Sequence, residues 1–212
     1  MTSSNNPYFT SQNISIFLIV ILHMVGFVGL ISGYQDLFKL LTPLHLLVTS
    51  IIVLFHFPKR TFLTITIVGI LAWILEFIGV NTSFPFGEYT YGQTLGWKIG
   101  GTPVLIAANW LILLLSSNSF VKKFNLNGFW TSLFSALAMT SLDFFIEPVA
   151  IQLDFWWWNE TSIPLNNYLT WFVASFLFSL FLNTKGVTRT LGSLNVLFFT
   201  QVIFFVALFL FL

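Results

Sequence analysis

Asp143 and Glu147 lie one helical turn apart in the run "SLDFFIEPVAIQLDFWWW", residues 141–158, just before Pro148 and shortly before three consecutive tryptophans. The chain has seven acidic residues among 212, so two of them in so apolar a stretch call for an explanation. At i,i+4 they share a helix face. A carboxyl at the centre of a membrane helix is unfavourable by roughly 2.5–3.5 kcal/mol on insertion scales, and is by default a functional hypothesis. Two close carboxylates in a low-dielectric medium repel, which favours one ionised and one protonated member. General acid/base chemistry uses that combination. The structural alternative is a pair in which one acid bonds to Lys98 or an asparagine and the other is satisfied near the interface. Glu76, inside another apolar run, is open to the same two readings.

Aromatic residues surround these acids in the sequence. The segment "NTSFPFGEYTYGQTLGWKIGG", residues 81–101, combines a Pro85–Gly87 turn signal with Gly92, Gly96, Gly100 and Gly101, which permit close backbone approach. Tyr89, Tyr91 and Trp97 fit either an aromatic belt at the membrane boundary or a re-entrant cap over a cavity, since non-helical backbone at membrane depth must be buried in protein or lined by water. Trp156, Trp157 and Trp158 have the same two readings, and in the second their π-faces would stabilise a cation by about 2 kcal/mol or more. Of the histidines, His45 falls near the acid layer, His56 at the opposite boundary, and His23 mid-span. His23 fits a hydrogen-bond partner between helices that Gly26 and Gly29 let approach closely. No HxxxH or HxxE spacing ties imidazoles to acids, so no metal site is expected. There is no local Ser-His-Asp grouping, phosphate-cradling glycine loop or NDxxD motif, and cysteine is absent. What remains is carboxyl, imidazole, phenol and aromatic chemistry, which suits acid/base work on a very apolar substrate.

The elements that position these groups must be membrane helices. The chain is 57% hydrophobic and 7% charged, with mean hydropathy +0.90, whereas soluble domains are about 25% charged. A net charge of +1 without a basic block offers nothing to nucleic acid. Spanning the hydrocarbon core takes about 17–25 apolar residues, and seven candidate spans follow: 14–32, 41–57, 62–80, 102–118, 129–148, 166–182 and 193–212. Pro43 and Pro103 suit first-turn positions in two of them. The expected fold is an all-α polytopic bundle, one integral-membrane domain over 1–212. Residues 1–13 carry no Lys or Arg and no cleavage signal follows, so the first span is expected to remain as a helix. Lys59, Arg60, Lys122, Lys123, Lys185 and Arg189 fall on one side of the bundle and only Lys39 and Lys98 on the other. The positive-inside rule then places the N-terminus in the cytoplasm and the C-terminus outside, in a multi-pass arrangement in the cell membrane. Glu76 and Asp143 would both lie roughly 20 Å from the cytoplasmic end, with Glu147 about 6 Å further out. Three carboxyls thus share one layer beneath the two longest connections, 81–101 and 149–165.

At these residues the chain resembles a known family. The motifs are "NTSFPFGEYTYGQTLGWKIGGTPVLIAANW", "SLDFFIEPVAIQLDFWWW" and "IPLNNYLTWF". Together they are similar to the carotenoid-biosynthesis membrane proteins that include carotenoid 1,2-hydratases of the γ-carotene/lycopene type and bisanhydrobacterioruberin hydratase. The matching positions are Phe84–Tyr91, Leu95–Gly96, Pro103–Trp110, Asp143–Pro148, Trp156–Trp158 and Pro164–Trp171, with weaker support from His23 and His45. Two positions depart from the pattern: Ser83 stands where the family has Gly, and Glu147 where it has Asp, which keeps the carboxyl but moves it by a methylene.

The resemblance implies a carotenoid hydratase that adds water across the terminal C1–C2 double bond of an acyclic end group. Protonation at C2 creates a tertiary cation at C1, and water captures it. Asp143 is then the expected proton donor and Glu147 its partner or the activator of water, with Glu76 and His45 as secondary candidates. Phe86, Tyr89, Tyr91, Trp157, Asn167 and Trp171 are the expected substrate contacts. Hydration is redox-neutral, so no metal, nucleotide or flavin cofactor is implied. The implied partners are the carotenoid and membrane lipids, with room for contacts to other carotenoid-pathway enzymes. Two alternatives stay open at this point: a carotenoid cyclase sharing the protonation step, and a non-catalytic carotenoid-binding or proton-coupled transport protein.

Overall fold

With no water in a bilayer core, each apolar run must satisfy its own backbone, and the runs of this chain do so as helices. The computed structural model describes residues 10–212. Its helices are α1 (Ser11–Ile31), α2 (Gln35–Phe55), α3 (Lys59–Thr82), α4 (Ile106–Lys122), α5 (Gly128–Gln152), α6 (Leu165–Thr184) and α7 (Gly192–Phe211). All except α4 are long and apolar enough to cross a membrane, so this is an all-α multi-pass membrane protein. The exception, α4, has 17 residues, a length of about 26 Å. It is also the enclosed helix, packed against α2, α3, α5, α6 and α7. Surrounding protein, rather than lipid, meets the backbone beyond its ends, which is the condition under which a short span is tolerated.

The basic residues gather at one end. Lys59 and Arg60 open α3, Lys122 closes α4, and Lys185 caps α6. Arg189 Nη1 donates to the His56 carbonyl at 3.2 Å, which ties the α6–α7 connection to that between α2 and α3. His56 Nε2 in turn lies 2.9 Å from Ser15 Oγ on α1. In the same half of the bundle Asn118 Oδ1 accepts from Ser179 Oγ at 2.6 Å, and Asn183 Nδ2 donates to Ser132 Oγ at 3.0 Å. Hydrogen bonds of this kind hold helices together where apolar burial gives no net drive.

The opposite end carries short strands β1 (Tyr89–Tyr91), β2 (Lys98–Ile99), β3 (Thr102–Pro103) and β4 (Trp156–Trp158). β2 and β3 form a hairpin around Gly100 and Gly101, whose φ values of 54° and 82° suit a tight two-residue turn. β1 and β4 come from different connections and pair antiparallel, Tyr89 opposite Trp158 and Tyr91 opposite Trp156. Gly92 follows β1 where the chain passes Asp154. A Cβ there would overlap the Asp154 backbone carbonyl, so only glycine fits. Its N–H donates to the Phe155 carbonyl at 2.9 Å and extends the pairing.

Three boundaries differ from the sequence expectation. α2 begins at Gln35, so Pro43 is inside the helix and not in its first turn. Hydropathy marks the apolar stretch and misses the polar first turn, where Asp36 is favoured by the helix dipole. Pro103 does not start α4 either, because the Gly100–Gly101 turn draws it into β3. α5 continues past Pro148 to Gln152, as membrane helices allow when neighbours re-satisfy the freed backbone.

Candidate acid–aromatic site

α3, α4, α5 and α6 bring three carboxyl groups under the β1–β4 ribbon, and each is sealed from solvent: Glu76 is 3% exposed, Asp143 0% and Glu147 1%. Glu76, on α3, accepts three hydrogen bonds. Tyr89 Oη donates to its Oε2 at 2.6 Å, Tyr91 Oη to the same oxygen at 2.7 Å, and Trp110 Nε1 to Oε1 at 2.8 Å. Burial, reinforced by the Glu76 carboxyl, pushes both phenols well above their usual range, so they stay O–H donors.

Glu147, on α5, is coordinated in a similar way. Trp156 Nε1 and Trp158 Nε1 donate to its Oε2 at 2.9 and 2.8 Å, and Asn167 Nδ2 donates to Oε1 at 2.7 Å. Period-2 alternation along the paired strands explains both sets. Tyr89 and Tyr91 point inward from β1 and Trp156 and Trp158 from β4, and their intervening neighbours point out. The Tyr89 and Trp158 rings lie 5.1 Å apart, so the two coordination shells touch.

Asp143 is different. Asn167 Nδ2 reaches its Oδ2 at 3.3 Å, a long bond shared with Glu147, and its Oδ1 is buried with no hydrogen-bond partner. Among the described residues it is the one carboxyl with an uncommitted buried oxygen. Leaving such an atom unmatched costs about 1–3 kcal/mol.

An apolar crevice of about 260 Å³ runs in beside this cluster. Val25, Leu41 and Leu44 flank its mouth between α1 and α2, and Ile146, Phe155 and Trp156 form its inner end. The Trp156 ring thus faces the crevice while its N–H holds Glu147. On the helical wheel of α5, Asp143 lies between Ile146 and Glu147, about 60° from the former and 40° from the latter.

A model of the family described as carotenoid biosynthesis protein matches residues 37–212. The chain belongs to the carotenoid biosynthesis protein family. A bisanhydrobacterioruberin hydratase of Haloarcula japonica is 28% identical over 151 residues, covering 63% of this chain and 50% of that protein. The chain therefore spans about half the length of the curated relative it matches. No solved structure matches it.

In this carotenoid biosynthesis protein all three acids, both tyrosines and the three tryptophans of β4 fall within the matched residues. The structure brings Asp143, Glu147, Tyr89 and Tyr91 together, with Glu76 bound by the tyrosines. Phe86 is buried against Tyr89 at 5.7 Å between ring centres, and Trp171 stacks on Trp110 at 4.2 Å. Asn167, expected from its motif to contact substrate, donates to both Asp143 and Glu147 and bridges them. Trp157 is a correction: it was expected to face the pocket, but strand alternation turns it outward, 43% exposed. His45 does not reach the acid layer's hydrogen bonds. It packs edge-on against His23, 4.6 Å between ring centres, and lines the crevice. His23 Nδ1 donates within its own helix to the Ile19 carbonyl at 2.8 Å, where an interhelical bond was expected. Lys98 leaves the acids alone and donates to the Tyr91 carbonyl at 2.6 Å. Trp97 is 74% exposed, as a boundary residue would be. Sequence reasoning missed Trp110, Trp156 and Trp158 as carboxyl donors. The signal was available in "YTY" and "WWW", which as strands must present alternate residues to one face.

Proposed function

We propose that the chain is a carotenoid hydratase of the cell membrane, its basic end cytoplasmic, adding water to the terminal C1–C2 double bond of an acyclic end group. The observation that carries this reading is the free, buried Oδ1 of Asp143 beside a Glu147 whose two oxygens both accept hydrogen bonds. Both oxygens of Glu76 are engaged likewise, and the two glutamates act as fixed acceptors. Asp143 is the member with an oxygen free to carry and deliver a proton.

The reaction then runs in two steps. The Asp143 O–H bond breaks as its proton adds to C2, the C1–C2 π pair forms the new C–H bond, and C1 becomes a tertiary cation. Inward aromatic faces of Tyr89, Tyr91, Trp156 and Trp158, with two carboxyls behind them, lower the energy of that charge. Water adds to C1, and the oxonium so formed gives its surplus proton to the Asp143 carboxylate, which regenerates the acid. General acid catalysis of this kind contributes about 10²–10⁴-fold. The end group approaches through the crevice, whose inner end is closed by Ile146 and Trp156, and the Ile146 side chain must turn aside for C2 to reach Asp143. Hydration is favoured over cyclisation by the name of the Haloarcula japonica relative, a hydratase.

Expression in a lycopene-producing bacterium tests the proposal. The pigment is expected to gain the mass of one water per processed end, and Asp143→Asn to abolish that product while the protein still accumulates in the membrane. Pigment of unchanged mass from the wild-type chain, or hydrated pigment from the Asp143→Asn variant, would overturn it.

A further inference from the structure

The crevice between α1, α2, α4 and α7 is mostly apolar. Its polar exceptions include His23 of α1 and His45 of α2, 4.6 Å apart between ring centres, and Asn109 of α4, which lines the same crevice. Neither the His45 ring nor the Asn109 side-chain amide has a hydrogen bond to another described residue, although three helices converge on them. His23 Nδ1 is committed to the Ile19 carbonyl, so in the neutral ring Nε2 is left as an acceptor. Thr42, the one hydroxyl on the lining, is spent on the Phe38 carbonyl at 3.1 Å. Uncommitted donors and acceptors inside a lipid-embedded bundle are unfavourable unless something meets them. They therefore mark a ligand position.

Three features of the crevice define the ligand. No Asp, Glu, Lys or Arg lines it, so the group bound is neutral. The uncommitted polar side chains on its lining are few, so the ligand has one small polar function, able both to donate and to accept, as a hydroxyl can. A volume of about 260 Å³ holds only the end of a long molecule, and the mouth at Val25, Leu41 and Leu44 opens where the helices are exposed to lipid.

We propose that this crevice binds the hydroxylated end of an elongated isoprenoid chain, with His45 and Asn109 as the hydroxyl's partners and His23 holding the His45 ring edge-on. The inference rests on the reading that the crevice receives a polyene. It adds that the end, once it carries a hydroxyl, is recognised by its oxygen at a place separate from the acids.

Binding to the full chain in lipid nanodiscs tests it, using tryptophan quenching by two matched polyenes, an acyclic hydrocarbon and its C1-hydroxylated counterpart. The wild-type chain should favour the hydroxylated polyene by about tenfold, the equivalent of one net hydrogen bond. His45→Phe and Asn109→Leu should each bring the two affinities to within about twofold, and His45→Gln, which keeps a donor and an acceptor, should retain most of the preference. Equal affinities in the wild-type chain would overturn the proposal and mean that the polar patch holds water alone. So would a preference that survives in both His45→Phe and Asn109→Leu. Asp143→Asn separates this inference from the catalytic one, since Asp143 does not line the crevice. A wild-type chain that hydrates its substrate but shows no hydroxyl preference sinks the binding site only, and hydration by Asp143→Asn with the preference intact sinks the catalytic role only.

Discussion

Trp156 and Trp157 are neighbours with opposite environments, and they offer a clean comparison at the scale of single residues. The Trp156 indole donates to Glu147 and lines the crevice, while Trp157 faces away from both. Trp156→Phe keeps the ring and removes the N–H, so hydrated product should fall by about 10-fold or more if Glu147 must be held in place. Trp157→Ala should change product formation by less than about twofold, because surface substitutions away from such features have small effects. Pigment analysis of the two variants at matched protein levels checks this. Trp110 offers a stability counterpart. Trp110→Phe preserves stacking on Trp171 but strips one of the three donors from Glu76, at a cost of about 1–3 kcal/mol. A fall in Tm of about 2–12 °C in detergent is expected.

The paired strands are the element on which the site depends. Four inward side chains reach two carboxyls because β1 and β4 share a register, and that register requires the chain to pass Asp154 at Gly92. Gly92→Ala should force the connections apart, uncoupling Tyr89 and Tyr91 from Trp156 and Trp158. Hydration is expected to drop by more than about 10-fold, with faster proteolysis within residues 83–105 than in the wild-type chain, as expected where a paired segment opens locally. Unchanged cleavage and activity would mean that the ribbon is dispensable. The strands show how far local signals reach. "KIGGTP" carries its hairpin turn in the two glycines. The β1–β4 pairing joins segments more than sixty residues apart, and nothing local in "YTY" or "WWW" names the partner.

At the scale of the whole molecule, the seven helices alternate between a basic end and an aromatic, ribbon-covered end. Reporters fused to the two termini should therefore report opposite sides of the membrane, with the loops carrying Lys59, Lys122 and Lys185 cytoplasmic. Both termini on one side would break the seven-span arrangement. The polar layer of Asn118, Ser132, Ser179 and Asn183 lies in the basic half and the acid layer near the other end, where the apolar crevice ends against Ile146 and Trp156.

Hydropathy, loop charge and the spacing of Asp143 and Glu147 were enough to establish a helical membrane protein with a shared acid layer. Those signals are local: an apolar run must become a helix in lipid, and residues four apart in a helix share a face. Which tryptophans hold Glu147, that Asn167 bridges two acids, that one oxygen of Asp143 stays free, and that His45 turns to His23 were decided by tertiary structure. Each depends on a contact between distant segments, and such contacts follow from packing and strand register that no single stretch of sequence encodes.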